Sequence, residues 1–124
     1  EDEMEIGMGI HGEPGTKRTT IETADEVAEH LTSKVLNDMK LSSGEEVAVM
    51  INGLGATPLM ELYIINRKVQ KMLQEKGIKV FNTYVGNYMT SIEMAGCSVT
   101  LLKLDQELRE LLVAPADTPA FKQL

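Results

Sequence analysis

His11 is the residue whose type and setting most favour chemistry. It lies in Gly9-Ile10-His11-Gly12-Glu13-Pro14-Gly15, directly after an apolar, strand-like run. Three glycines and a proline frame an imidazole that can act as base, ligand or nucleophile at neutral pH. A neutral ring held on such a turn, with one nitrogen tied to a backbone or carboxylate acceptor, keeps its other lone pair free to attack a carbonyl. The glycines would let a small substrate lie against the backbone. A turn histidine bonded only to local backbone satisfies the same spacing, so these residues alone leave the choice open.

The other reactive groups have weaker settings. Gly7, Gly9 and Gly12 satisfy the G-x-G-x-x-G dinucleotide spacing. That fingerprint needs its glycines to open a helix, whereas here Pro14-Gly15 and a polar loop follow, so it reads as a decoy. Asn52-Gly53-Leu54-Gly55-Ala56 with Thr57 is a strand-to-helix loop that could offer N–H groups to an anion, or could be a tight connection only. It lacks the Lys-Ser/Thr of a Walker loop. Lys17-Arg18 is a small basic island that reads as a solvated pair or as an attractor for a phosphorylated ligand. His30 reads as a surface or half-buried helix residue. Glu22, Asp25, Glu26 and Glu29 crowd the start of a helix, where the dipole favours carboxylates. Cys97 reads as a small buried strand residue. No cluster has metal-ligand spacing.

The elements that must position His11 alternate along the chain. Met4 to Ile10 alternates apolar with polar or glycine and predicts a strand, followed by a turn at 12–15 and a polar loop through Thr20. Thr23 and Glu26 have capping-box spacing before a helix over 24–38. Ser42-Ser43-Gly44 is a turn and 45–51 a strand. Thr57 as N-cap and Pro58 at the first helical position predict a helix to Lys76, closed by Gly77. Strands are expected at 78–85 and 97–104, with a short helical turn from Thr90 to Gly96 between them. Asp105 caps a last helix carrying Leu108, Leu111 and Leu112, and the tail after Ala114 is expected to run extended over the surface. The layout is β-α-β-α-β-β-α: an α/β (α+β) two-layer sandwich with a mixed sheet of about four strands.

Bulk properties fit one domain over residues 1–124. Apolar residues make up 43% and charged residues 25%, ordinary values for a soluble globular chain. A net charge of −7 argues against nucleic acid, and no apolar run is long enough for a membrane span. One cysteine allows no internal disulfide and suits a reducing cytoplasm. The start at Glu1, without an initiator Met, is expected of a fragment or a processed chain.

Four blocks, in order, carry a family resemblance over nearly the whole chain. Glu3-Met4-Glu5-Ile6-Gly7-Met8-Gly9-Ile10-His11-Gly12-Glu13-Pro14-Gly15 resembles the second-domain motif of dihydroxyacetone (glycerone) kinases. So do Asn52-Gly53-Leu54-Gly55-Ala56-Thr57-Pro58-Leu59-Met60-Glu61-Leu62, Tyr88 to Gly96, and Leu101 to Asp105 with Ala114 to Pro119. The likeness is greatest to the substrate-binding subunit of the bacterial phosphoenolpyruvate-dependent system. The resemblance implies that His11, with Gly12 beside it, binds dihydroxyacetone covalently as a hemiaminal at the carbonyl carbon. Glycerol, lacking a carbonyl, would be rejected. It also implies no cofactor on this chain, ADP/ATP and Mg on a separate nucleotide-binding kinase subunit, a homodimer and a cytoplasmic location. The family's remaining site residues, in a Gly-Ser-Gly-His-Glu-Pro motif and at an Asp, belong to a preceding domain absent from this sequence. The chain alone is therefore expected to be inactive. Two related roles fit the same blocks: a transcriptional co-activator that keeps the histidine, and the K-domain of an ATP-dependent single-chain glycerone kinase.

Overall fold

Alternating β-branched residues build the strands, and apolar residues three and four apart build the helices that cover them. In the computed structural model, which describes residues 2–124, the chain runs β1 (Glu3–Ile6), β2 (Lys17–Thr20), α1 (Ala24–Met39), β3 (Glu46–Gly53) and α2 (Leu59–Glu75). Then follow β4 (Lys79–Gly86), β5 (Cys97–Lys103), α3 (Gln106–Leu112), β6 (Ala116–Asp117) and β7 (Lys122–Gln123). The central sheet has the order β4-β3-β5, with β4 parallel and β5 antiparallel to β3. The parallel pair is joined by α2, the crossover such a pair requires.

The core lies between this sheet and the helices. Val47, Val49 and Ile51 of β3 are fully buried and pack with Ala28 and Leu36 of α1 and Leu62, Ile65, Val69 and Leu73 of α2. Arg67 pairs with Asp25, and Lys68 lies 2.5 Å from Glu29, which ties the two helices together at the surface. The opposite face of the sheet meets the C-terminal segments. The Arg109 guanidinium sits 4.5 Å from the Phe81 ring centre, and Phe121 lies 6.0 Å from Tyr84. Phe81 is the extra residue at a bulge, since Val47 pairs with Val80 and Ala48 with Asn82.

The mixed α/β class holds, and α1 begins as its spacing predicts. Thr23 Oγ1 accepts from the Glu26 N–H, and the Glu26 carboxylate accepts from the Thr23 N–H, closing the capping box. Gly77 follows α2 at φ +70°, the left-handed geometry expected of it. Asp105 caps α3 through the Leu108 N–H.

Several boundaries differ, each for a local reason. The strand predicted over Met4–Ile10 stops at Ile6, because Gly7 turns to φ +82°. The loop predicted through Thr20 contains β2, which pairs antiparallel with β1 and places Arg18 opposite Glu5. These two strands form their own ribbon, so the mixed sheet has three strands rather than about four. Thr57 does not cap α2: its hydroxyl accepts from the Gly96 N–H and donates to the Gly96 carbonyl, and Pro58 takes the N-cap position. Thr90–Gly96 forms no helical turn. Its backbone groups go instead to the Asn52–Thr57 loop, with Ser91 N–H donating to Leu54 O, Leu54 N–H to Gly96 O, and Ala56 N–H to Met94 O. The tail is not simply extended; β6 and β7 pair as a small hairpin.

Candidate functional site

The β1–β2 ribbon carries His11 at the tip of the loop 7–16. The base of that loop is locked to the ribbon. Thr16 donates both its backbone N–H (2.7 Å) and its hydroxyl (3.2 Å) to the Ile6 carbonyl. One oxygen of Glu5 accepts the Gly15 N–H at 2.5 Å, and the other lies 3.4 Å from Arg18 Nε. Gly15 passes so close to β1 that a Cβ there would lie 2.5 Å from the Ile6 carbonyl oxygen. The Lys34 ammonium reaches from α1 to Thr16 Oγ1 at 3.0 Å.

The tip is held by Glu13. Gly12 N–H donates to Gly9 O (3.0 Å) and Gly9 N–H to Glu13 O (3.1 Å), which closes the turn around Ile10 and His11. The Glu13 carboxylate accepts the His11 backbone N–H at 3.1 Å, and its other oxygen faces His11 Nδ1 at 3.4 Å. Hydrogen bonds from its own backbone N–H and from that of His11 hold the Glu13 carboxyl below the usual carboxylate range. The His11 side chain is 81% exposed. Its ring therefore faces the Glu13 carboxylate on one side and is open to solvent on the other.

A cleft of about 650 Å³ opens between β1, the first turns of α1 and α2, and the 95–97 segment. Its walls are mostly apolar, with Ile6, Val27, Leu31, Leu54 and Ile65 among them, and Glu22, Glu61 and Thr57 add polar groups. Gly7 and Met8 line it, whereas His11 and Gly12 do not. His11 thus stands at the end of the loop, outside the cleft.

The remaining candidates do not join it. Arg18 is spent on Glu5, and His30 Nε2 lies 3.2 Å from Glu22 on α1. The Asn52–Thr57 loop does not fit a phosphate cradle, because the Leu54 and Ala56 N–H groups and the Thr57 hydroxyl already bond the 94–96 segment. Cys97 is half-buried on β5, and burial pushes its thiol up, away from the reactive thiolate. Among the described residues no three His, Cys, Asp or Glu side chains are placed to hold a metal ion. No described helix is long and apolar enough to cross a membrane. Sequence spacing assigns Glu13 only to the turn. Its two-residue offset from His11 was the available signal, but many turns place a carboxylate there.

This is an α/β domain whose reactive group rides on a locked hairpin loop beside an apolar cleft. A family model described as the Dak1 domain matches residues 1–120, and the chain belongs to that family. It is 55% identical over 122 residues to a Listeria innocua protein named PTS-dependent dihydroxyacetone kinase 2, dihydroxyacetone-binding subunit DhaK. That match covers 98% of this chain and 37% of the relative, so the chain spans little more than a third of that relative's length. Among solved structures, the dihydroxyacetone kinase operon co-activator Dha-DhaQ matches with TM-score 0.85 and 34% identity, over 92% of this chain and 36% of that one. The dihydroxyacetone kinase from C. freundii in complex with AMP-PNP and Mg²⁺ matches with TM-score 0.84 and 27% identity, over 98% and 22%.

Proposed function

We propose that this chain is the dihydroxyacetone-binding part of a dihydroxyacetone kinase, and that His11 holds the substrate covalently for phosphoryl transfer. The observation that carries the reading is an imidazole fixed from one side and 81% exposed at the tip of a locked loop. A ring nitrogen lone pair adds to the ketone carbon, the carbonyl π pair moves to oxygen, and that oxygen takes a proton. One C–N bond forms and nothing leaves. The adduct separates ketose from polyol, because glycerol has no carbonyl to trap. It also fixes a terminal hydroxyl for transfer, where positioning supplies a large share of the rate. The exposed backbone of Gly12 leaves room for the substrate beside His11.

The rest of the activity lies elsewhere. In this reading the chain is the second domain of a cytoplasmic, homodimeric subunit, and a preceding domain supplies acid–base groups. ADP/ATP and Mg²⁺ sit on a nucleotide-binding partner subunit recharged from phosphoenolpyruvate. The relative's name, a PTS-dependent kinase subunit, supports this form. The likeness to the co-activator favours a second reading, in which the same ketose adduct signals instead of reacting. The likeness to the C. freundii kinase leaves a single-chain ATP-dependent form as a third.

Carbonyl-¹³C dihydroxyacetone tests the adduct. The labelled carbon is expected to move from the ketone to the hemiaminal region of the NMR spectrum, and His11→Ala is expected to abolish the new signal. No shifted carbon at saturating ketose overturns the covalent reading. Turnover by these 124 residues with a nucleotide subunit and ATP would overturn the placement of the acid–base groups on another domain.

A further inference from the structure

We propose that the cleft beside β1 is an acceptor for an extended peptide segment. A strand that is apolar and carries a lysine or arginine adds to the free edge of β1, and it comes from the polypeptide outside these 124 residues. The inference rests on the reading above that the chain is one domain of a longer subunit. It adds what the rest of that subunit does at this face, and it involves neither His11 nor the ketose.

Both walls of the cleft offer strand edges without a partner. On one side β1 lines it from Glu3 to Ile6, and no residue of β2 does. Ile21 N–H donates to Asp2 O at 3.0 Å, so residues 2 and 21 form a bonded pair of the antiparallel ladder. Bonded pairs alternate along such a ladder. With Met4 opposite Thr19 and Ile6 opposite Lys17, the backbone N–H and C=O groups of Glu3 and Glu5 therefore point away from β2. On the other side lies the start of β5, which among the described residues has β3 along one edge and no strand along the other. Leu54 N–H donates to Gly96 O, so Cys97, opposite Gly53, directs its own N–H and C=O away from β3. Open edges of this kind are templates for an added strand. The four residues of β1 suit a segment of similar length, about 13 Å at ~3.4 Å per residue.

The lining defines what the segment carries. Val27 and Leu31 of α1 and Ile64 and Ile65 of α2 give the cleft an apolar surface. Ile21 and Ile64 are 63% and 43% exposed, apolar area that a covering segment would remove from water. Four carboxylates line the cleft, those of Glu3, Glu5, Glu22 and Glu61, and no lysine, arginine or histidine does. Glu5 is taken by Gly15 and Arg18, and Glu22 faces His30 at 3.2 Å. Among the described residues Glu3 and Glu61 have no ion pair, so the charge left over in the cleft is negative. A cation on the segment complements it. A second copy of this chain fits poorly, because its net charge of −7 would bring carboxylates to carboxylates. The longer polypeptide is the better source: the match covers 37% of the Listeria innocua relative and leaves more than half of it outside. A segment tethered in the same chain also binds at high effective concentration, so a short strand suffices.

Overlapping synthetic peptides that cover the unmatched part of the Listeria innocua relative test the assignment, added to ¹⁵N-labelled residues 1–124 and followed by amide NMR. At least one peptide with apolar residues and a lysine or arginine is expected to bind, with the largest shifts at Glu3, Glu5 and Cys97. Glu61→Lys reverses a charge of the cleft and should weaken that peptide roughly three- to fivefold, the range for an exposed charge pair. Glu3→Pro removes an outward N–H that β2 does not use, at an edge position where proline is tolerated, and should weaken binding about tenfold. Glu3→Ala keeps that N–H and should weaken it no more than Glu61→Lys does. Shifts centred on other elements, or equal losses in Glu3→Pro and Glu3→Ala, overturn strand addition. A generic valine–lysine peptide serves as the control. If it binds at β1 and none of the relative's peptides does, the edge stands and the longer-subunit source is overturned. If no peptide binds, the docking proposal is overturned and the longer-subunit reading is untouched.

Discussion

Gly9 and Gly15 both lie under close contacts, but the atoms they face give their substitutions unequal consequences. A Cβ at Gly9 meets the far end of a flexible carboxylate, 2.0 Å from Glu13 Oε2. The carboxylate can swing away, whereas Glu13 Cβ at 3.1 Å can give only slightly, so Gly9→Ala is expected to destabilise by about 1 kcal/mol or less. The displaced carboxylate would lose its contacts with the His11 backbone N–H and ring. A Cβ at Gly15 meets backbone, 2.5 Å from the Ile6 carbonyl that already accepts two bonds from Thr16. That contact cannot yield without moving the ribbon. Gly15→Ala is therefore expected to destabilise by about 1–3 kcal/mol, the cost typical of overpacking. Denaturant melts on the two variants check the split. A Gly9→Ala protein as unstable as Gly15→Ala would show that the Glu13 side chain does not yield. The prominence of His11 was legible in the sequence, since glycine and proline punctuation around one histidine needs no partner to be noticed. The contact of Glu13 with it was not, because a carboxylate two residues away becomes specific only when the turn folds it back over Gly9.

At the scale of elements, two separated blocks prove to be one unit. The Asn52–Thr57 loop and the 87–98 segment hold each other through Asn52, which is 3% exposed. Its Oδ1 accepts the Tyr88 and Met89 N–H groups at 2.8 and 2.9 Å, and its Nδ2 donates to Met89 O at 2.7 Å and Ser98 Oγ at 3.3 Å. Gly55, at φ +126°, allows the approach; a Cβ there would lie 3.1 Å from Ser91 O. Asn52→Ala removes a buried amide and strands its partners, at about 1–3 kcal/mol for each group left unsatisfied. A loss of about 3 kcal/mol is expected, with Tm lower by about 10 °C and faster amide exchange confined to 87–98. Exchange that speeds up evenly over all elements would remove the clamp role. The helices were legible because Thr23, Gly77 and Asp105 signal their ends within a few residues. The segment 90–96 was not. Thr90 and Glu93 have capping spacing, but the backbone groups there are claimed by a loop some forty residues away in sequence. Likewise β2 reads as polar loop, and only the Glu5–Arg18 pairing across the ribbon makes it a strand.

The whole molecule carries two opposing responses to acid. Its net charge of −7 shrinks as pH falls toward the isoelectric point near 4.8, which relieves self-repulsion and favours the folded state slightly. Against this stand carboxyls whose folded pKa lies below the ordinary value of 4.5. Glu26 is lowered by hydrogen bonds from Thr23, first from its side chain and then its backbone. Glu45 is lowered by Lys103 and by the Ser42 N–H. The unfolded chain binds protons at these groups before the folded chain does, so their stabilisation is complete above pH 4.5 and is lost as pH falls through their lower native values. The expected profile is level or gently rising from neutral pH to about 4.8, then falling below about 4.5. Glu26 is exposed and Glu45 partly so, and both are screened by solvent, so the fall should be modest and should shrink further in high salt. Thermal melts across this pH range check the profile, and the combined Glu26→Gln and Glu45→Gln variant assigns it. That variant loses the charges whose protonation drives the decline, so it should start less stable at neutral pH and decline less steeply in acid. An acid limb as steep as the parent's would place the linked protons on other carboxyls. A decline that begins well above pH 4.5 would overturn the assignment to these carboxyls.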